Sequence, residues 1–163
     1  NIKAPKETGK TFKSNSELKA NFFYKKSNLV SLSDDSGLEI KCLKNRPGIY
    51  SARWAKRYGS FNKAMKVILK KIKRKRNRNA RFVCSLSIKL SNNKIVTSIG
   101  TISGHISSRI IGTKGFGYDP IFVPNGSKIT FGQMNLQKKM KIDHRSIAFK
   151  KLKKKLKLFK FFI

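Results

Sequence analysis

Between residues 82 and 90 the chain alternates. Phe82, Cys84, Leu86, Ile88 and Leu90 are apolar, and Val83, Ser85, Ser87 and Lys89 stand between them. A period of two places one set on one face of a strand, so the spacing predicts a β-strand with one buried face. Ser91-Asn92-Asn93 reads as a hairpin turn, with the return strand over 94–99 and a further strand expected over 104–109. Upstream, Ser60 is a good N-cap. Behind it Phe61, Ala64, Met65, Ile68, Leu69 and Ile72 recur at helical spacing, with Lys on the opposite face. A hairpin following a helix–strand–helix region predicts an α/β or α+β fold: a mixed, mostly antiparallel central sheet with flanking helices.

Other stretches fill in the order. Residues 1–12 read as an extended lead-in. Ser14-Asn15-Ser16-Glu17 has capping-box spacing, which predicts a helix over 15–26 with Leu18 and Phe22 on one face and Lys19 within it. Residues 28–32 read as a short buried strand that delivers Asp34 and Asp35 to its own end, where Gly37 permits a tight turn. Asn45-Arg46-Pro47-Gly48 is a turn signal, and Ile121-Phe122-Val123-Pro124 a short strand. A last helix is expected from Asp143 as N-cap, with Ala148, Leu152, Leu156 and Phe159 as its buried stripe.

Lys and Arg number 39 against seven Asp and Glu, for a net charge of +32. Three readings stand: binding of nucleic acid, a site for a polyanionic small substrate, and compositional bias of an AT-rich genome, which the diffuse placing of the Lys favours. With 163 residues, the chain suits one domain with a real core. It holds no uninterrupted apolar run of bilayer length and no signal-peptide pattern, so no membrane partner is expected. It begins at Asn1 rather than Met, and an N-terminal part is expected to be missing. Cys42 and Cys84 have no zinc-type spacing and read as free thiols.

Chemistry has few places to reside. Asp34-Asp35 puts two of the seven acids side by side. Adjacent strand residues face opposite ways, so the two carboxylates are expected to do different work. They fit a Mg²⁺ and water-activating site or, equally, an Asx-type turn. The glycine-dense loop over 112–120 offers backbone amides, stacking surfaces at Phe116 and Tyr118, and an acceptor at Asp119; its plain alternative is a tight connection. Lys139, His144 and Arg145 near a helix start make an anion site or a solvated basic helix end. With only His105 and His144 present, a Ser or Cys triad has little scope.

Together these stretches resemble one family. Glu7-Thr8-Gly9-Lys10-Thr11-Phe12, with Asn15 and Lys19-Ala20, is similar to its ETG-x-TF segment, and Asp34-Asp35-Ser36-Gly37-Leu38-Glu39 matches its DDSGLE core. Pro47-Gly48-Ile49-Tyr50-Ser51-Ala52-Arg53-Trp54-Ala55 matches PG-[VI]-YSAR-[YW]-A. Gly115-Phe116-Gly117-Tyr118-Asp119-Pro120-Ile121-Phe122 matches GFGYDPIF, and Lys139 with His144-Arg145 and Ala148 resembles K-x₄-HR-x-x-A. The chain resembles the non-standard purine nucleoside triphosphate pyrophosphatases, the inosine triphosphate pyrophosphatase or Ham1-like family, over nearly its whole length.

That resemblance implies a single domain with two lobes around a nucleotide cleft. It implies Mg²⁺-dependent hydrolysis of ITP, dITP and XTP to the monophosphate and pyrophosphate, by a cytoplasmic homodimer. By motif, Asp35 is proton acceptor and metal ligand, supported by Asp34. Ser36 touches substrate, and Lys19 and Lys139 address the phosphates or the reacting centre. Phe116 stacks on the purine; Gly117, Tyr118 and Asp119 complete the base loop; His144 and Arg145 read the 6-keto edge. Three departures stand out. The family's opening strand and T-x-N-x-x-K phosphate loop have no counterpart before Asn1, its second metal-side Glu is Ser14, and its Ser before His-Arg is Asp143. A catalytically impaired relative acting as a basic nucleotide- or nucleic-acid-binding protein is the alternative.

Overall fold

The computed structural model describes residues 2–158. Helix α1 spans Phe12–Ser27 and begins earlier than the expected 15–26. Its N-cap is Thr11: Thr11 Oγ1 accepts from the Ser14 N–H at 3.0 Å, and Ser14 Oγ accepts from the Thr11 N–H at 3.0 Å. The capping box therefore sits three residues upstream of the Ser14–Glu17 spacing, and a Ser serves where Glu or Gln is usual. Glu17 is released from capping and accepts instead from Thr97 Oγ1 at 2.8 Å.

Strand β1 is Ser31–Ile40, and this corrects two expectations. Leu29, Val30 and Leu32 are exposed, so 28–32 is not a buried strand, and Gly37 lies inside β1 rather than at a turn. The buried anchors are Leu38 and Ile40, further along. Apolar residues at 38 and 40 place the strand in the core and carry the acidic pair into mid-strand. The reversal comes later, at Lys44 and Asn45, both left-handed, before β2 (Arg46–Pro47) pairs antiparallel with β1 through Glu39 and Ile40.

Helices α2 (Ser51–Tyr58) and α3 (Phe61–Ile72) follow. The α3 expectation holds in detail: Ser60 Oγ accepts the Lys63 N–H at 3.1 Å, and Ala64, Met65, Ile68 and Ile72 are buried. Burying each Ile is worth roughly 2 kcal/mol. Strands β3 (Asn79–Ser91) and β4 (Lys94–Ile106) form the hairpin. The strand expected over 104–109 is the end of β4. Strand β5 is Phe122–Pro124, antiparallel to β4. The order β2-β1-β3-β4-β5 makes β3 central. Its two faces are both covered: Val83, Ser85 and Ser87 are buried along with Phe82, Cys84 and Leu86, against the single buried face that the alternation suggested. Helices α4 (Leu136–Ile142) and α5 (His144–Leu158) complete the described chain, α5 starting just after Asp143 as expected.

The chain divides into two compact units, and β1, β3 and β4 each change unit along their length. The first holds residues 2–36, 83–101 and 144–158. Its core joins Cys84, Leu86 and Val96 to Ala148, Leu152 and Leu156 of α5; Phe159 lies outside the described residues. A polar layer sits beside it. Ser16 Oγ is 2.9 Å from Ser85 Oγ and 2.8 Å from Ser87 Oγ, and Ser87 reaches Thr97 at 2.9 Å. The second unit holds residues 37–82 and 102–143, around Leu38, Ile40, the α3 stripe, Ile106, Tyr118 and the rings of Phe82, Phe122 and Phe131. Neither Cys42 nor Cys84 forms a disulfide. Among the described residues no helix is long and apolar enough to cross a membrane.

Candidate active site

Period-two geometry separates the acidic pair as expected. The Asp35 side chain is 7% exposed and that of Asp34 47%. Asp35 Oδ2 accepts from Asn15 Nδ2 at 3.1 Å, and its Oδ1 lies 3.9 Å from Lys19 Nζ. Lys19 donates to Glu7 Oε1 at 2.6 Å. Burial pushes the Asp35 carboxyl up to about 6. The Asn15 hydrogen bond and the Lys19 ammonium pull the other way, and the charges of Glu7 and Asp34 add to the rise. A carboxylate poised there is ionised at neutral pH yet basic enough to take a proton.

The exposed Asp34 serves a different set. Its Oδ2 accepts from Ser36 Oγ at 2.9 Å and lies 3.7 Å from Arg145 Nη2. Arg145 opens α5 beside the buried His144, whose Nε2 is 3.4 Å from Arg145 Nη1. The first unit thus assembles Lys19, Asp34, Asp35, Ser36, His144 and Arg145 on α1, β1 and the start of α5.

The remaining candidates lie in the second unit, around the glycine-rich loop. Asp119, 1% exposed, accepts the Phe116 N–H at 2.6 Å and the ammonium of Lys139 on the same oxygen, Oδ2. Lys139, 8% exposed, also lies over the Phe131 ring at 5.3 Å. Gly115 has φ 78°, and a Cβ there would sit 2.1 Å from Asp119 Oδ2, so the loop closes on its own carboxylate only with glycine. Phe116 projects outward, 67% exposed, with its ring edge-on to Phe61 at 5.1 Å.

Tyr118 corrects an expectation: at 2% exposed it offers no stacking surface. Its hydroxyl donates to Ser51 O at 2.9 Å, its ring packs on Phe61 at 5.3 Å, and burial raises its phenol above the usual range. Ser51 Oγ in turn accepts the Leu38 N–H at 2.9 Å and donates to Gly48 O at 2.7 Å, so Ser51 ties β1 to the turn before α2. Asp119 and Lys139, read from sequence as ligand contacts, spend their charges on each other.

Two residues of the site escaped the sequence reading. The resemblance puts the family's second carboxylate where Ser14 stands, whereas Glu7 is the acid bound to Lys19, and its charge adds to the rise at Asp35. Its scarcity was the available signal, since only seven acids occur in the chain. Asn15 carried no assigned role. Among the described residues no group of three or more His, Cys, Asp or Glu gathers as a metal cluster. Asp35 and Glu7 are the two carboxylates beside Lys19.

Comparison with known proteins bears on the family and the fold. The model of the Ham1 family matches residues 1–155. The chain is 40% identical to a dITP/XTP pyrophosphatase of Acholeplasma laidlawii over 142 residues, covering 87% of this chain and 70% of that one. It is 42% identical to a dITP/XTP pyrophosphatase of Caulobacter vibrioides over 151 residues, covering 91% and 78%. The solved structure of the Staphylococcus aureus Ham1 protein superposes with a TM-score of 0.90 at 36% identity, over 96% of this chain and 81% of that one. The Coxiella burnetii HAM1 protein gives 0.90 at 31% identity, over 96% and 81%. On the match of sequence, fold and motif-bearing residues, the chain belongs to the Ham1 family.

Proposed function

We propose that the protein hydrolyses non-standard purine nucleoside triphosphates, ITP, dITP and XTP, to the monophosphate and pyrophosphate. The observation that carries this reading is the buried Asp35 carboxylate, raised to about 6 and flanked by Lys19 and Glu7. The names borne by the relatives supply the substrate class. Water attacks the α-phosphorus, the bond to the bridging oxygen breaks, and pyrophosphate leaves. Asp35 orients the water and takes its proton. Lys19 neutralises phosphate charge, and His144 and Arg145 receive the base. Donors on His and Arg favour a 6-keto oxygen over the amino group of adenine.

Asp35 and Glu7 fit a Mg²⁺ ion, which takes one or two carboxylates and completes its shell with water and substrate phosphates. Burial is the main cause of the rise at Asp35 and the charge of Glu7 adds to it; a bound cation would offset both. When bound, Mg²⁺ supplies phosphate charge neutralisation and a polarised water. The family resemblance also favours a cytoplasmic homodimer, which sedimentation and fractionation would test.

The test is pyrophosphate release from ITP, XTP, GTP and ATP with Mg²⁺. Turnover of ITP and XTP well above ATP, lost in Asp35→Asn, is the expected outcome. Equal rates on all four sink the selectivity, and no release from any sinks the function.

A further inference from the structure

The amide of Asn15 joins two parts of the site. Asn15 sits in the first turns of α1 and is 0% exposed. Its Oδ1 accepts the Gly9 N–H at 2.8 Å, and its Nδ2 donates to Asp35 Oδ2 at 3.1 Å. Chemistry fixes which end faces which partner. A backbone N–H only donates, so the atom facing Gly9 is the oxygen, and the NH₂ is left for the carboxylate. Lys19 lies four residues on, hence on the same helix face. Gly9 closes the other side. A Cβ there would lie 2.4 Å from Ser14 Oγ and 2.5 Å from Asn15 Oδ1, so the loop reaches this amide only with glycine. Two residues before Gly9 stands Glu7, which holds Lys19. A buried amide satisfied at one end only would cost about 1–3 kcal/mol. Here each end is spent on a segment that carries a site residue.

Resting on the pyrophosphatase reading, we propose that Asn15 is a positioning residue: it anchors Asp35 Oδ2, ties the Glu7-bearing loop to it, and thereby makes Oδ1 the working oxygen. Oδ1 is the atom turned toward Lys19, at 3.9 Å, beyond direct hydrogen-bond reach. A carboxylate with one oxygen held presents the other in a single orientation, which is what attack geometry requires.

Asn15→Asp separates the two ends. It keeps an acceptor for Gly9 and removes the donor to Asp35 at almost unchanged volume. With ITP and Mg²⁺ the expected result is a kcat fall of about a hundredfold with KM within about threefold. A folded Asn15→Asp with wild-type kcat, or one whose loss lies in KM alone, overturns the proposal. If that variant does not fold, Gly9→Ala reads the same linkage from the loop, and it should lower kcat likewise; wild-type kcat there also overturns it. An activity-independent arm keeps the two readings apart. In the wild type the Asn15 side-chain NH₂ protons should exchange slowly by NMR, and Asp35→Ala should abolish that protection. Absence of pyrophosphate release with protection intact removes the function and leaves the anchor. Fast exchange in an active wild type removes the anchor.

Discussion

Lys139 and Asp119 form a buried ion pair, and the accepting oxygen is the one that also takes the Phe116 N–H at 2.6 Å. The pair holds the glycine-rich loop closed from inside, so that Phe116 can stand exposed on a rigid base. Removing one partner leaves a charge with nothing to offset it. Lys139→Met should therefore destabilise the fold by roughly 3–5 kcal/mol in urea melts, and Lys139→Met with Asp119→Asn should recover part of that. A Lys139→Met loss below about 1 kcal/mol would show that the pair is dispensable to the loop.

Asp35→Asn should separate activity from stability. Turnover should be lost, because the amide neither takes a proton nor holds a cation. Stability in metal-free buffer at neutral pH should rise. The folded carboxyl sits at about 6 against 3.8 when unperturbed, so the folded state holds the proton more tightly. Its contribution is most favourable at low pH, declines as pH rises from 3.8 to about 6, and above that is a full penalty. The neutral amide escapes this, by about 1–3 kcal/mol. Thermal melts of both proteins at pH about 5 and about 8 would check it; a gap that does not widen with pH contradicts the assignment.

The same group sets the pH dependence of turnover. The base form of Asp35 is the working form, so kcat/KM at limiting Mg²⁺ should rise through a midpoint near 6 and level off above. Saturating Mg²⁺ favours the ionised carboxylate and should move that limb to lower pH. A pH profile at two Mg²⁺ concentrations measures both. An acid limb that ignores the cation would place the metal elsewhere.

Phe116→Ala tests the base loop. The ring is 67% exposed, and its removal should change stability by less than about 0.5 kcal/mol even with the Phe61 contact at 5.1 Å. Stacking on a base is worth about 1–3 kcal/mol, so KM for ITP should rise by about 5- to 150-fold. An unchanged KM would remove Phe116 from the binding surface.

Local patterns were read correctly where the decision is local. The α3 stripe with its Ser60 cap and the β3–β4 hairpin turn follow from period and turn chemistry, which neighbours in the chain settle among themselves. The motifs Asp34-Asp35-Ser36, Phe116–Asp119 and His144-Arg145 brought the family into view before any contact was known. Misreadings fell where a distant partner decides. Helix α1 starts at Phe12 because Thr11 and Ser14 cap each other, although Ser14 and Glu17 have the better-known spacing. Leu29, Val30 and Leu32 look like core and are exposed, because Leu38 and Ile40 are the residues that reach it.

By itself the sequence determined the fold class, the alternation that sends Asp34 and Asp35 to opposite faces, and the motifs on which the proposed site rests. Only the tertiary structure decided their ionisation and their partners. Asp35 is raised because the fold removes it from water, and Glu7 joins it because the loop before α1 folds back onto Asn15. Lys139 spends its charge on Asp119 because both are buried beside one loop. Burial and through-space charge depend on what lies within a few ångströms, and residues 20 apart in the chain, such as Asn15 and Asp35, become neighbours only when the strand and helix pack.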